Sequence, residues 1–291
     1  MKDGIIIKKY NSYYYVQGET SVIECKLRGR FKKNRYSLCV GDKVQYTSLG
    51  DETGIIENIF PRQSVLLRPL IANVQQVIIT FAAKNPDFNS SLLDRFLVLA
   101  EYSELDIIIC LTKIDLLNRA EIETLVQEYQ KIGYTVIKVS NVSHEGVEKL
   151  TSLLNNKISV FAGPSGAGKS TLLNRINPKL NLKTGMVSDK IGRGKHTTRF
   201  SELLSLPEHG FVVDTPGFSL TEFNDLDERA ISECFPEFNK VEGSCKFNSC
   251  LHLHEPQCKI KNAVDHAAIS ENRYQSYVEI MDEIKKTKRG F

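Results

Sequence analysis

Gly163-Pro164-Ser165-Gly166-Ala167-Gly168-Lys169-Ser170 is the stretch that decides the fold. It follows an apolar run, Ile158 to Ala162, and opens a helical pattern, Ser170 to Ile176, with Thr171 continuing the helix. Three glycines let consecutive backbone N–H groups converge on phosphate oxygens, and the helix start behind them adds the positive end of its dipole. Lys169 is placed to neutralise β/γ-phosphate charge, and the Ser170 hydroxyl to ligate Mg2+. A glycine-rich turn without function would carry the same letters, but strand, loop and helix in this order are the context that phosphate binding requires. Gly163 through Thr171 are therefore the expected phosphate-binding residues.

Upstream of that loop, strands and helices alternate. Val74 to Ala82 reads as a strand, Ser91 to Tyr102 as an apolar-periodic helix, and Asp106 to Leu111 as a buried strand. Glu121 to Ile132 reads as a helix closed by Gly133, Thr135 to Val139 as a strand, and Glu145 to Leu154 as a short helix capped by Ser143. This rhythm predicts an α/β domain with a largely parallel sheet, covered by helices on both faces, whose ligands collect at the carboxyl ends of the strands.

Thr112-Lys113-Ile114-Asp115 lies at one such end. In guanine-nucleotide proteins this element is usually Asn-Lys-x-Asp: the aspartate accepts from guanine N1 and N2, and the lysine stem packs over the base. Lys113 and Asp115 fit, whereas the Thr112 hydroxyl cannot replace every contact of an Asn amide. Taken alone, a loop lysine and a helix-capping aspartate would be the better reading; beside a phosphate loop, guanine recognition is favoured. Ser140-Asn141 ends the next strand, where a base-contacting backbone loop is expected.

Downstream, Asp214-Thr215-Pro216-Gly217 follows the apolar run Phe211 to Val213. Asp214 at a strand end can hold Mg2+ through water, and Gly217 can offer its N–H to the γ-phosphate. Between the two phosphate elements runs Gly192-Arg193-Gly194-Lys195-His196-Thr197-Thr198-Arg199, where a nucleotide-sensing switch belongs. Thr198 is the preferred Mg2+ ligand of its two threonines; a flexible basic loop is a compatible reading, since switches order on binding. Phe218 stands where Ras-like proteins carry a water-orienting Gln, which leaves His196 as the candidate to position the attacking water.

The order is unusual, because the base-recognition elements at 112 to 141 precede the phosphate loop. A Ras-like chain runs the other way, so the domain is expected to be circularly permuted, a change tolerated where termini lie close together at the surface.

Of the 291 residues, 41% are hydrophobic and 25% charged, which excludes wholesale disorder, and the net charge of +3 excludes a uniformly basic histone-like protein. The charge is uneven: residues 1–68 net +5, residues 69–220 net +1 and residues 221–291 net −3. The first segment reads as five short strands, Ile5 to Lys9, Tyr13 to Gln17, Val22 to Leu27, Lys43 to Thr47 and Gly54 to Phe60, the pattern of a small OB-type barrel. Lys26 to Arg35 carries six cations and no anion, a phosphate-backbone signature. Cys25, Cys39 and Cys110 are scattered and Cys234 stands alone, and those flanked by Ile, Leu and Val read as small buried hydrophobes.

The last segment reads as helices, Leu226 to Phe235 and Ser270 to Lys286, around Cys245, Cys250, His252 and Cys258. Three thiolates and an imidazole form a closed tetrahedral set suited to structural Zn2+, with His254 a competing donor and Cys234 an outside one. No apolar run reaches the ~18 residues that span a bilayer, and Met1-Lys2-Asp3-Gly4 lacks an apolar signal region, so a cytoplasmic protein is expected, with no membrane partner.

Taken together, the barrel, the permuted order, Gly-Pro-Ser-Gly-x-Gly-Lys-Ser, Gly-Arg-Gly-Lys-His-Thr-Thr, Asp-Thr-Pro-Gly-Phe and the cysteine pattern closely resemble the RsgA family of circularly permuted GTPases, also called YjeQ or YloQ. The resemblance spans nearly the whole chain. It implies an OB barrel over 1–68, a permuted GTPase domain over 69–220 and a zinc-binding helical domain over 221–291. It further implies a monomer that binds GTP, GDP and Mg2+ and hydrolyses GTP during late maturation of the small ribosomal subunit, with the barrel and zinc domain on ribosomal RNA. By the same resemblance Zn2+ is held by Cys245, Cys250, His252 and Cys258, and guanine by Thr112 to Asp115. The competing readings are a P-loop ATPase or small-molecule kinase, against which Asp115 argues, and an RNA-binding assembly module in which hydrolysis only times release.

Overall fold

A computed structural model describes residues 1–29, 37–50, 52–67, 70–183, 202–214, 223 and 226–289. The chain divides into two compact units: Met1–Gln76 with Val147–Phe161 and Lys169–Phe218, and Val77–Gly146 with Ala162–Gly168 and Ser219–Phe291.

The first unit begins with five strands, β1 (Lys2–Tyr10), β2 (Tyr13–Gln17), β3 (Val22–Leu27), β4 (Lys43–Gly50) and β5 (Thr53–Ile59). β1, β2 and β3 pair as antiparallel neighbours, β3 pairs β5 in parallel, and β4 pairs both β5 and β1 antiparallel. That ring closes the sheet into the expected barrel and leaves no free edge among its own strands. Alternation sorts the side chains: Ile6, Tyr14, Val16, Ile23, Cys25, Val44, Tyr46 and Ile56 fill the interior. Tyr13, Tyr15 and Lys26 stand on the outside, with Tyr13 opposite Lys26 in register. A hairpin the sequence did not announce, β6 (Val65–Leu67) and β7 (Leu70–Ala72), follows. Asn73 ties it to the barrel, donating from Nδ2 to the Gly41 carbonyl at 2.9 Å.

The same unit holds α3 (Val147–Leu154), β11 (Ile158–Ala162, whose last residue falls in the second unit), α4 (Lys169–Ile176), β12 (Glu202–Ser205) and β13 (Phe211–Asp214). β13 runs parallel to β11 and antiparallel to β12, and β12 pairs β1 with Lys8 opposite Glu202. The sheet therefore runs on from the barrel through β12, a pairing across nearly two hundred residues of sequence for which no local pattern exists. The helix expected from Glu145 begins at Val147 because Gly146, at φ 73°, packs its Cα against the Lys138 carbonyl. Ser143 does not cap it; its N–H donates to Ser140.

The second unit contains β8 (Gln76–Ala82, whose first residue belongs to the first unit), α1 (Ser90–Tyr102), β9 (Asp106–Thr112), α2 (Arg119–Ile132) and β10 (Thr135–Lys138). Its strands lie in the order β10-β9-β8, with β9 and β10 parallel. Asn89 caps α1, and Asn118 with Glu121 forms a full capping box on α2, which ends on Gly133 in the left-handed region.

Among the described residues, four C-terminal helices complete the unit: α5 (Glu228–Glu233), α6 (Pro236–Asn239), α7 (Lys259–Asp265) and α8 (Glu271–Arg289). The single helix expected over 226–235 is shorter, capped by Asp227, and Pro236 starts a new one. These helices share one core with α1, in which Val98 and Leu99 meet Ile231, Phe235, Phe238, Tyr277 and Ile280. At its heart Arg273, 1% exposed, binds Asp94 of α1 at 2.6 Å and Glu237 of α6 at 2.7 Å and lies over the Phe235 ring. Cys25, Cys39, Cys110 and Cys234 are all buried. Among the described residues no helix is long and apolar enough to cross a membrane.

Candidate nucleotide site and metal centre

In the second unit, the ends of β8 and β9 meet the phosphate loop. The loop enters through Gly163 at φ 129°, where a Cβ would lie 2.0 Å from the Thr80 carbonyl oxygen of β8. Only glycine fits so close to that strand. Ala167 is buried and donates its N–H to the Pro164 carbonyl at 3.4 Å, while Ser165 and Gly166 at the tip are exposed.

β9 ends at Thr112, whose side chain is wholly buried, with Oγ1 2.5 Å from the Ala167 carbonyl oxygen and 3.3 Å from that of Phe81. The base loop and the phosphate loop are thus in direct hydrogen-bonded contact. Lys113 turns the chain at φ 55° and donates from Nζ to the Asn85 carbonyl, beside the 3-10 turn Ile114–Leu116. Asp115 is exposed, and its Oδ1 accepts from the buried Ser140 hydroxyl at 2.5 Å. Ser140 is itself fixed, its oxygen accepting from the N–H groups of Val142 and Ser143 at 3.1 and 3.0 Å. A carboxylate anchored at one oxygen and facing solvent suits a pair of N–H donors such as guanine N1 and N2.

In the first unit, Lys169 opens α4 with Ser170 and Thr171 in the same first turn. Lys169 is half-buried, and that burial lowers its ammonium pKa to about 8. β13 ends at Asp214, of which the backbone alone is described. His196, Thr198, Gly217 and Phe218 lie outside the described residues, as do Arg30, Lys32, Lys33 and Arg35 of the cationic stretch.

The C-terminal quartet converges. Donor atoms of Cys245, Cys250, His252 and Cys258 all lie within 4.8 Å of one another. His252 Nδ1 is 3.6, 3.5 and 3.3 Å from the sulfurs of Cys245, Cys250 and Cys258, and the Cys245 and Cys258 sulfurs are 3.9 Å apart. A tetrahedron with Zn–S of about 2.3 Å and Zn–N of about 2.05 Å has S···S edges of about 3.8 Å and N···S edges of about 3.6 Å. The donor set fits. His254 is exposed and outside the quartet, and the Cys234 thiol donates to the Ala230 carbonyl at 3.2 Å.

Three residues that sequence reasoning missed build this loop. Burial disfavours the charged form of the Glu255 carboxyl, but N–H donors at Leu251, Leu253 and His254 outweigh it and bring its pKa to about 2. Tyr274 and Tyr277 of α8 donate to the His252 and Leu251 carbonyls at 2.7 and 2.6 Å. An acid among short-range loop residues is the only local signal for Glu255, and the tyrosines, on a distant helix, carry none.

Comparison with known proteins agrees with this geometry. The RsgA N-terminal domain model matches residues 3–56 and the RsgA GTPase model residues 59–224. A protein of Alkaliphilus metalliredigens named small ribosomal subunit biogenesis GTPase RsgA is 46% identical, over 99% of this chain and 100% of its own. One of the same name from Bacillus cereus is 44% identical over 99% of both chains. Among solved structures, YloQ, described as a circularly permuted GTPase, is 39% identical with a TM-score of 0.81 over 98% of this chain and 96% of that one. YjeQ from Thermotoga maritima is 36% identical with a TM-score of 0.83 over 97% and 98%. Matched from barrel to C-terminal helices, with its base-recognition loop ahead of its phosphate loop, the chain belongs to the RsgA family of circularly permuted GTPases.

Proposed function

We propose that this GTPase acts on the small ribosomal subunit, coupling GTP hydrolysis to late maturation of that particle and to its own release. The observation that carries the nucleotide part is the Asp115 carboxylate, fixed by Ser140 in a unit where the base loop is hydrogen-bonded to the phosphate loop. Asp115 selects guanine through N1–H and N2–H, and the Lys113 stem covers the base. Backbone N–H groups within the 163–168 loop, that of Gly168 among them, cradle the phosphates, and the Lys169 ammonium balances their charge. Ser170, Asp214 and Thr198 would hold Mg2+, which would shield the charge of the β/γ-phosphate oxygens. Gly217 senses the γ-phosphate, and His196 positions the attacking water once the ribosome arranges the switch, since Phe218 cannot.

Zn2+ bound by Cys245, Cys250, His252 and Cys258 supplies structure, because four protein ligands leave no open position. The chain works in three parts, a barrel over 1–68, a GTPase domain over 69–220 and a zinc domain over 221–291. The barrel faces ribosomal RNA, which suits its net +5 charge and an outer surface where Lys26 Nζ lies 5.2 Å from the Tyr13 ring centroid. A ribosomal partner puts the protein in the cytoplasm, acting as a monomer. The test is nucleotide turnover by the purified chain with GTP or ATP, with and without small ribosomal subunits. Guanine-selective turnover that the subunits stimulate is expected; equal use of ATP, or indifference to the subunits, would overturn the proposal.

A further inference from the structure

Thr112 occupies the position where an asparagine amide commonly serves both protein and base, and its surroundings show what a hydroxyl does there instead. A threonine hydroxyl has a single proton to donate. Two acceptors lie within its reach, the Ala167 carbonyl at 2.5 Å and the Phe81 carbonyl at 3.3 Å, and both belong to the protein. The side chain has no exposed surface. Whichever carbonyl takes the proton, none remains for a ligand.

The bond to Ala167 has a second consequence. In a planar trans peptide the carbonyl and the following N–H point in opposite directions. Holding the Ala167 carbonyl toward Thr112 therefore turns the Gly168 N–H away from β9. Gly168, at φ 89° and with its Cβ position 3.6 Å from Thr112 Oγ1, has no side chain to hold it in that pose. The hydroxyl supplies the restraint.

We propose that Thr112 is a positioning residue that fixes the direction of the Gly168 N–H for phosphate binding, and that the protein consequently recognises guanine without a hydrogen bond to N7. The inference rests on the guanine reading of Asp115 given above. Purine N7 is an acceptor, and the one side chain at this position able to donate to it has its proton engaged elsewhere. Selection then falls on the N1 and N2 edge that Asp115 addresses, so the protein tolerates a base that lacks N7 and rejects one that lacks the N2 amine.

The experiment measures the affinities of the full-length, zinc-loaded protein for GDP, 7-deaza-GDP, IDP and ADP, then repeats them for Thr112→Val and Thr112→Ser. Wild type should bind 7-deaza-GDP within threefold of GDP and IDP at least tenfold more weakly. Val keeps the shape but cannot donate, which leaves a buried carbonyl unpaired. It should weaken GDP and IDP by the same factor, about tenfold, leaving their ratio unchanged, while Ser stays within threefold of wild type. A 7-deaza-GDP affinity more than threefold below that of GDP shows that N7 is read and overturns the inference while leaving guanine selectivity intact. Unchanged GDP affinity in Thr112→Val, or an altered GDP to IDP ratio, overturns the positioning role. Equal affinity for GDP and ADP overturns the guanine reading and this inference with it. The wild-type comparison decides the N7 question even if neither variant folds.

Discussion

Removing the Arg273 guanidinium should unfasten the C-terminal helices from the nucleotide-binding core. Arg273 is fully enclosed and pairs with Asp94 and Glu237, which come from α1 and α6, while Tyr129 of α2 donates to Asp94 at 3.0 Å. In Arg273→Met both carboxylates keep their burial and lose their cation. Breaking a buried pair by removing one partner costs about 3–5 kcal/mol, because an uncompensated charge stays in the interior. In a unit of this size each kcal/mol lowers Tm by about 2–4 °C, so a fall of about 6–20 °C is expected.

The loss should depend on pH with a definite sign. Burial already raises the Asp94 carboxyl above its ordinary value, and Arg273 opposes that rise. Without the arginine the folded pKa climbs further, so the penalty is full above that value and fades as pH falls toward the ordinary carboxylate range. Thermal unfolding at pH 7 and pH 5, with the triple variant Arg273→Met, Asp94→Leu, Glu237→Met alongside, is the assay. The single variant should lose less at pH 5 than at pH 7, and the triple variant should recover most of the loss, since apolar replacement of a buried ionic cluster is often neutral. A single variant within 1 kcal/mol of wild type at pH 7, or an equal loss at both pH values, would show that the Arg273 pairs do not hold this core.

Three further outcomes follow from the site. Gly163→Ala places a Cβ 2.0 Å from the Thr80 carbonyl oxygen at a positive φ, and should reduce GDP affinity at least tenfold by titration calorimetry while Gly29→Ala, in open space, leaves it unchanged. Lys169, lowered to about 8 by burial, should lose its proton and its hold on phosphate as pH rises through that value, so GDP affinity falls above pH 8 and binding near pH 8 takes up a proton. The folding stability of the nucleotide-free protein should instead gain from this group as pH rises between about 8 and 10.5, because the folded state binds fewer protons there than the unfolded state. Metal analysis should find one zinc per chain that Cys258→Ala abolishes and His254→Ala retains, with chelation lowering Tm; a full equivalent in Cys258→Ala would contradict the assigned quartet.

What the sequence made legible is local chemistry. Period-two alternation fixed the barrel strands to within a few residues, the glycine spacing of 163–168 identified the loop that Thr80 crowds, and the clustered thiols marked the metal loop. What it hid depends on distant partners. Arg273 sits among polar neighbours, Ser270-Glu271-Asn272, and reads as a surface charge, yet its partner Asp94 is 179 residues away. The same holds for Lys8 opposite Glu202, which carries the sheet past the barrel, and for the tyrosines that hold the metal loop through its carbonyls. Thr112 looked in sequence like a weakened base contact; its geometry makes it a link between two loops.

The decisive measurement is the steady-state rate of GTP hydrolysis by the purified, zinc-loaded chain, alone and with mature small ribosomal subunits, beside Asp115→Asn. Slow hydrolysis alone, stimulation of at least tenfold by the subunits, and loss of GTP preference over XTP in the variant are expected, since Asn replaces one of the two acceptor oxygens facing guanine N1–H and N2–H with an NH2 donor. Hydrolysis unmoved by the subunits, or an Asp115→Asn protein that still prefers GTP, would contradict the proposed function.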